Sequence, residues 1–108
     1  NLLSFLDGDR TPFILEGMDH PDKFVREESY YYWDSIPEKD ARPRLLRGLE
    51  DQHPGVRGWA ACAFTESFGT REDVPLLEKR LAVETDERAL KYLKEAVERL
   101  QKDAGRPR

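Results

Sequence analysis

The stretch Val56-Arg57-Gly58-Trp59-Ala60-Ala61-Cys62-Ala63-Phe64 decides the fold. Val56, Ala60, Ala63 and Phe64 fall at i, i+4, i+7 and i+8, the 3.6-residue period of a helix that buries one face, and Ser67 continues the stripe. Thirty-one residues earlier Val25-Arg26 repeats Val56-Arg57 and opens the stripe Val25, Ser29, Tyr32, Trp33, Ile36. Thirty-three residues later comes a third stripe: Ala89, Leu93, Ala96, Val97, Leu100. Similar intervals relate Pro12, Pro43 and Pro75; Ile14, Leu45 and Leu77; Met18, Leu49 and Leu81; and Gly17 with Gly48. The pairs His20-Pro21 and His53-Pro54 also match. The chain is an internal repeat, and no segment has the alternation of a strand.

Each unit reads as two helices. The first helices are predicted over 10–18, 39–50 and 71–83. Asp22 and Asp86 are good N-caps for second helices, and Thr70 with Asp73 resembles a capping box. Pro12 and Pro43 fall near the third helical position, where the missing N–H has no helical partner. With Thr70 as cap, Pro75 sits deeper, which predicts a kink or loosened turn. One helix pair cannot bury both faces, so stacked neighbours must supply the core. The expected fold is therefore all-α, an α-solenoid of about three antiparallel helix pairs. As a single repeat domain it divides into the end of a preceding repeat (1–8), repeats at 9–36 and 37–69, a closing repeat (70–103) and a polar tail (104–108). Lys91, Lys94, Glu95 and Glu98 give the last helix a polar outer side. Asn1-Leu2-Leu3-Ser4-Phe5-Leu6 is apolar and uncapped, and reads as the tail of a longer helix. Leu2, Leu3 and Phe5 would then form an open N-terminal edge that docks another domain or a second copy.

Two spacings carry a family resemblance. Asp22-x-x-Val25-Arg26 followed by small residues, and Asp73-Val74-Pro75-Leu76-Leu77, resemble HEAT repeats, closest to the short HEAT-like subtype of phycobilisome lyases. The likeness covers nearly the whole chain. It departs at His53, where the family usually has Asp, at Leu90, where it has Arg, and at Tyr30-Tyr31-Tyr32-Trp33, where alanine predominates. The resemblance implies an α-solenoid that binds macromolecules through the concave face of its second helices. It further implies that Arg26 and Arg57 form a ladder to the acidic turns of their own or neighbouring repeats. Some relatives are enzymes, bilin lyases or glycosylases that excise alkylated bases from DNA, so an enzyme or a structural segment of a longer repeat protein stays open as an alternative.

Composition sets bounds. Of 108 residues, 37% are charged, and Leu, Ile, Val and Phe supply about 23%, which makes a thin core. Eighteen Lys and Arg against 22 Asp and Glu leave a net charge of −4, against the basic stripe that nucleic acid requires. Cys62 is the only cysteine, so neither an internal disulfide nor a Cys-rich zinc site can form. No apolar run reaches the roughly 20 residues that span a bilayer. With no export signal at the start and a free thiol, the expected location is cytoplasmic.

Candidate chemistry is sparse. His20 and His53 occupy equivalent turns and should stand about 10 Å apart, too far to share one metal ion. The carboxylates show no catalytic pairing, and no Ser-His-acid or Cys-His set stands out. No catalytic residue, metal or cofactor is therefore assigned. The aromatic run is more informative. On a helical wheel Tyr32 and Trp33 join the buried stripe, Tyr31 points outward beside Glu27 and Asp34, and Tyr30 lies on the flank. The matching positions of the next unit, Gly58, Ala61, Cys62 and Thr65, are small, which predicts a shallow groove beside an aromatic wall. Trp59 is read as core packing or rim. The candidate partner-binding residues are Glu27, Tyr30, Tyr31, Asp34 and Cys62. The expected activity is a non-catalytic scaffold for a protein or peptide with exposed Lys or Arg.

Overall fold

The computed structural model describes residues 10–102. In order come α1 (Thr11–Met18), α2 (Lys23–Tyr31), a 3-10 turn (Trp33–Ser35), α3 (Glu38–Gly48), α4 (Pro54–Ala63), a π-helical turn (Phe64–Phe68), a 3-10 turn (Arg71–Asp73), α5 (Val74–Val83) and α6 (Glu87–Lys102). All regular structure among the described residues is helical. The helices form three hairpins, α1–α2, α3–α4 and α5–α6, each packed within itself, and α2, α4 and α6 pack side by side. The result is an α-solenoid slab measuring 43 × 33 × 17 Å between Cα extremes, two helix layers thick. Leu2, Leu3 and Phe5, and with them the expected N-terminal docking edge, lie outside the described residues.

Local chemistry explains the boundaries. Asp22 caps α2 by accepting from the N–H groups of Phe24 (2.8 Å) and Val25 (3.3 Å). Asp86 accepts from Ala89 N–H at 3.0 Å. Thr70 and Asp73 form a capping box, and α5 begins only after this 3-10 turn, with Pro75 in its first turn. The loosened turn predicted at Pro75 is thus a separate short helix. Pro43 differs from expectation: α3 starts at Glu38 behind Pro37, so Pro43 lies inside the helix.

The core runs between the layers. Ile14, Met18, Leu45, Leu49 and Leu77 from the first helices meet Val56, Ala60, Phe64, Leu93, Ala96 and Leu100 from the second. Two stripes depart from the sequence reading. In the first unit Tyr30, Trp33 and Ile36 are buried, while Val25 and Tyr32 are exposed. The cause is the tightening after Tyr31: Tyr32 N–H bonds Ser29 O and Ser35 N–H bonds Tyr32 O, both i→i−3. A three-residue period aligns Tyr30, Trp33 and Ile36 and turns Tyr32 outward. Val25 lies toward Gly17 of α1 and stays exposed, whereas its counterpart Val56 is fully buried. In the second unit the π-helical turn, closed by Gly69 N–H to Phe64 O at 3.0 Å, inserts one residue into the period. Ser67 is therefore exposed, and Phe68 turns in to meet Trp33 edge-on at 5.6 Å.

Ion pairs tie the units together. Arg26 donates from Nε and Nη2 to Asp51 at 2.9 and 3.0 Å, and from Nη1 to the carbonyls of His20 and Pro21. Arg57 repeats the arrangement on Glu84, with Nη1 on Asp51 and Gln52 carbonyls. Each arginine thus pairs with the acid of the next unit while bonding the carbonyls of the turn before its own helix.

Candidate functional site

A line of rings crosses α2, α4 and α6, with Tyr31 and Tyr32 exposed and Trp59 and Tyr92 half-buried against the core. Tyr32 and Tyr31 meet edge-to-face at 5.1 Å, Tyr31 meets Trp59 in the same way at 5.0 Å, and Trp59 stacks on Tyr92 at 6.4 Å. The line therefore crosses all three second helices. Repeat alignment explains part of it: Glu28, Trp59 and Tyr92 occupy equivalent positions, and Tyr31, one turn on, leans across to Trp59. Edge-to-face and offset contacts suit the ring quadrupoles and hold the side chains in place.

Acids border the line on both sides. Next to Tyr31, the residues Phe24, Glu27, Glu28, Tyr31 and Trp59 line an open depression of about 410 Å³. Glu27 is held by His53, whose Nε2 lies 2.5 Å from Oε1, and its carboxylate occupies the space that a side chain at Gly55 would fill. On the opposite border stands Cys62, half-buried in the middle helix. Burial pushes its thiol pKa up, and the negative charges of Glu66, Glu95 and Asp34 push it further in the same direction. Those three carboxylates come from all three units.

The structure thus brings Glu27 and Tyr31 together on one side and sets Asp34 and Cys62 on the other. Tyr30 is a correction. It is buried, its hydroxyl donates to the Arg44 carbonyl at 2.5 Å, and burial raises its pKa to about 12. Gly48, which leaves no Cβ between α3 and the Tyr30 ring, lets α3 come close enough to cover it. The small-residue groove is also corrected. Gly58 and Ala61 are buried, and Gly58 lies under the Tyr92 ring, so these positions seat α6. Trp59, Tyr92 and Phe24 were absent from the sequence-derived set. The equivalence of Trp59 and Tyr92 was readable from the repeat, but their stacking depends on how far apart α4 and α6 settle.

The two histidines serve different ends. His20 Nδ1 accepts from Asp22 N–H at 3.0 Å, while His53 turns to Glu27 and meets Phe24 edge-on at 5.6 Å. Among the described residues, no group of three or more His, Cys, Asp or Glu is placed to hold a metal ion. No helix among them is long and apolar enough to cross a membrane.

Stacked hairpins with an arginine–acid ladder between units, and an aromatic line over the second helices, define a helical-repeat protein. The model of the HEAT repeats matches residues 11–97, and the chain belongs to that family. No curated protein and no solved structure matches the chain.

Proposed function

We propose that this HEAT-repeat chain is a scaffold that binds a protein or peptide segment bearing Lys or Arg, through the face of α2, α4 and α6. The observation that carries the reading is the line Tyr32–Tyr31–Trp59–Tyr92, which spans every second helix and is bordered by carboxylates on both sides. Aromatic side chains supply contact area at low entropic cost and are enriched where binding energy concentrates. The flanking acids steer a cationic segment and reject an acidic one. Within this reading Glu27, Tyr31, Asp34 and Cys62 contact or border the partner. Tyr30 supports the face from beneath, and catalysis plays no part.

The test uses nitrogen-15 labelled protein titrated with a short Arg- and Lys-rich peptide, and with a Glu-rich peptide of equal length. Resonances of α2, α4 and α6 are expected to move saturably with the basic peptide only, and less at high salt. The double variant Tyr31→Ala, Asp34→Ala should weaken the response with helicity unchanged. Shifts confined to α1, α3 and α5, or the same response to both peptides, would reject this face.

A further inference from the structure

We infer that the depression between α2 and α4 is a pocket for a single arginine side chain, the anchor point of the partner segment; this rests on the binding reading above. Tyr31 and Trp59 stand at 77° to each other and form two walls of a corner. Phe24, which is 65% exposed, stands on the same depression. Its ring meets His53 edge-on at 5.6 Å, so the residue that holds Glu27 also steadies this wall, and most of the ring stays open to water. Lys23 Nζ sits 5.3 Å from its centroid, so one face of this ring is covered by the chain's own ammonium and the stacking walls left for a ligand are Tyr31 and Trp59.

The carboxylates select the charge. Glu27 is fixed by His53 and by the space over Gly55, so it is pre-positioned before any ligand arrives. Glu28 is exposed and pairs with no cation among the described residues. A guanidinium fits this set better than an ammonium. It is planar, stacks on one ring wall, and presents its N–H edge to carboxylates at the same time. An ammonium is compact and strongly hydrated, and a depression open to water does not strip that hydration.

The experiment compares Nα-acetyl-arginine amide, Nα-acetyl-lysine amide and the neutral isostere Nα-acetyl-citrulline amide. The readout is the indole N–H resonance of Trp59 in the intact labelled chain. The arginine compound is expected to move that resonance saturably and more tightly than the lysine compound. Loss of charge in citrulline should weaken binding about tenfold. Glu28→Gln should weaken the arginine response several-fold and Tyr31→Ala should do likewise. Both residues are exposed, so neither change threatens folding. Asp34→Asn, across the ring line, should leave the arginine amide unaffected yet weaken the longer basic peptide. Equal responses to arginine and citrulline, or an arginine response untouched by Glu28→Gln, would overturn the pocket. If the basic peptide then still moves α2, α4 and α6, the broader face reading stands without it.

Discussion

Arg57 grips Glu84 with two parallel bonds, Nε to Oε1 and Nη2 to Oε2, both 2.7 Å long. The Glu84 side chain is 1% exposed and that of Arg57 14%, so the pair joins the second and third units in a nearly dry setting. Its Oε2 also accepts from the N–H groups of Thr85 and Asp86, so the same carboxylate shapes the turn before α6.

Removing one partner of such a pair leaves a buried charge unmatched. Arg57→Ala is expected to cost about 3 kcal/mol. Arg47 also pairs with an acid, Asp19, but their side chains are 65% and 41% exposed. Arg47→Ala should change stability by no more than about 0.5 kcal/mol. Urea denaturation of both variants checks the contrast, and equal losses would mean that the ladder contributes no more than surface charge.

The ladder also sets the acid limit. Burial opposes ionisation of Asp51, but the Arg26 guanidinium and the His53 N–H outweigh it and hold the carboxyl below its ordinary range. Glu84 is likewise disfavoured by burial and held low by Arg57 and the Asp86 N–H. Since the folded values lie below the unfolded ones, the stabilisation is complete above the ordinary carboxylate range near pH 4 and is lost as the pH falls through the folded values. Melting temperatures measured from neutral to acid pH should therefore fall mainly below about pH 4. The double variant Asp51→Asn, Glu84→Gln should start lower and show a flatter decline.

Gly48 presses on Tyr30 so closely that an added Cβ would overlap the ring. Alanine gains about 1 kcal/mol of helix propensity over glycine. Here the overlap falls on a buried ring anchored to the Arg44 carbonyl, so Gly48→Ala should be destabilising by about 1–3 kcal/mol net. A thermal melt showing stabilisation would mean that Tyr30 can swing aside.

Cys62 should be a poor nucleophile. Its thiol is pushed up by burial and then by Glu66, Glu95 and Asp34, so little thiolate forms near neutral pH. Alkylation by iodoacetamide in the folded chain is expected to run several-fold slower than in the urea-unfolded chain, and Glu66→Gln should speed the folded reaction. A folded rate equal to the unfolded one would place those acids elsewhere.

How far the sequence reaches is clearest where it stops. A wheel of 100° per residue placed Tyr32 inside and Tyr30 on the flank; the helix ends at Tyr31, and the following 3-10 turn reverses the two. The same wheel placed Ala61 outside, where only the arrival of α6 could show that it is covered. Tyr31, by contrast, is as exposed as its helical angle requires, because it lies within the regular part of α2.

By itself the sequence determined the class of fold, the caps at Asp22 and Asp86, a loosened turn near Pro75 and the outward Tyr31. These follow from periodicity and from side-chain bonds that span only a few residues. The tertiary structure alone decided the partners of Arg26 and Arg57, the burial of Tyr30 and the line from Tyr32 to Tyr92. Each of those depends on the distance and angle between helices far apart in the chain, which are set by how glycine and alanine let the layers approach.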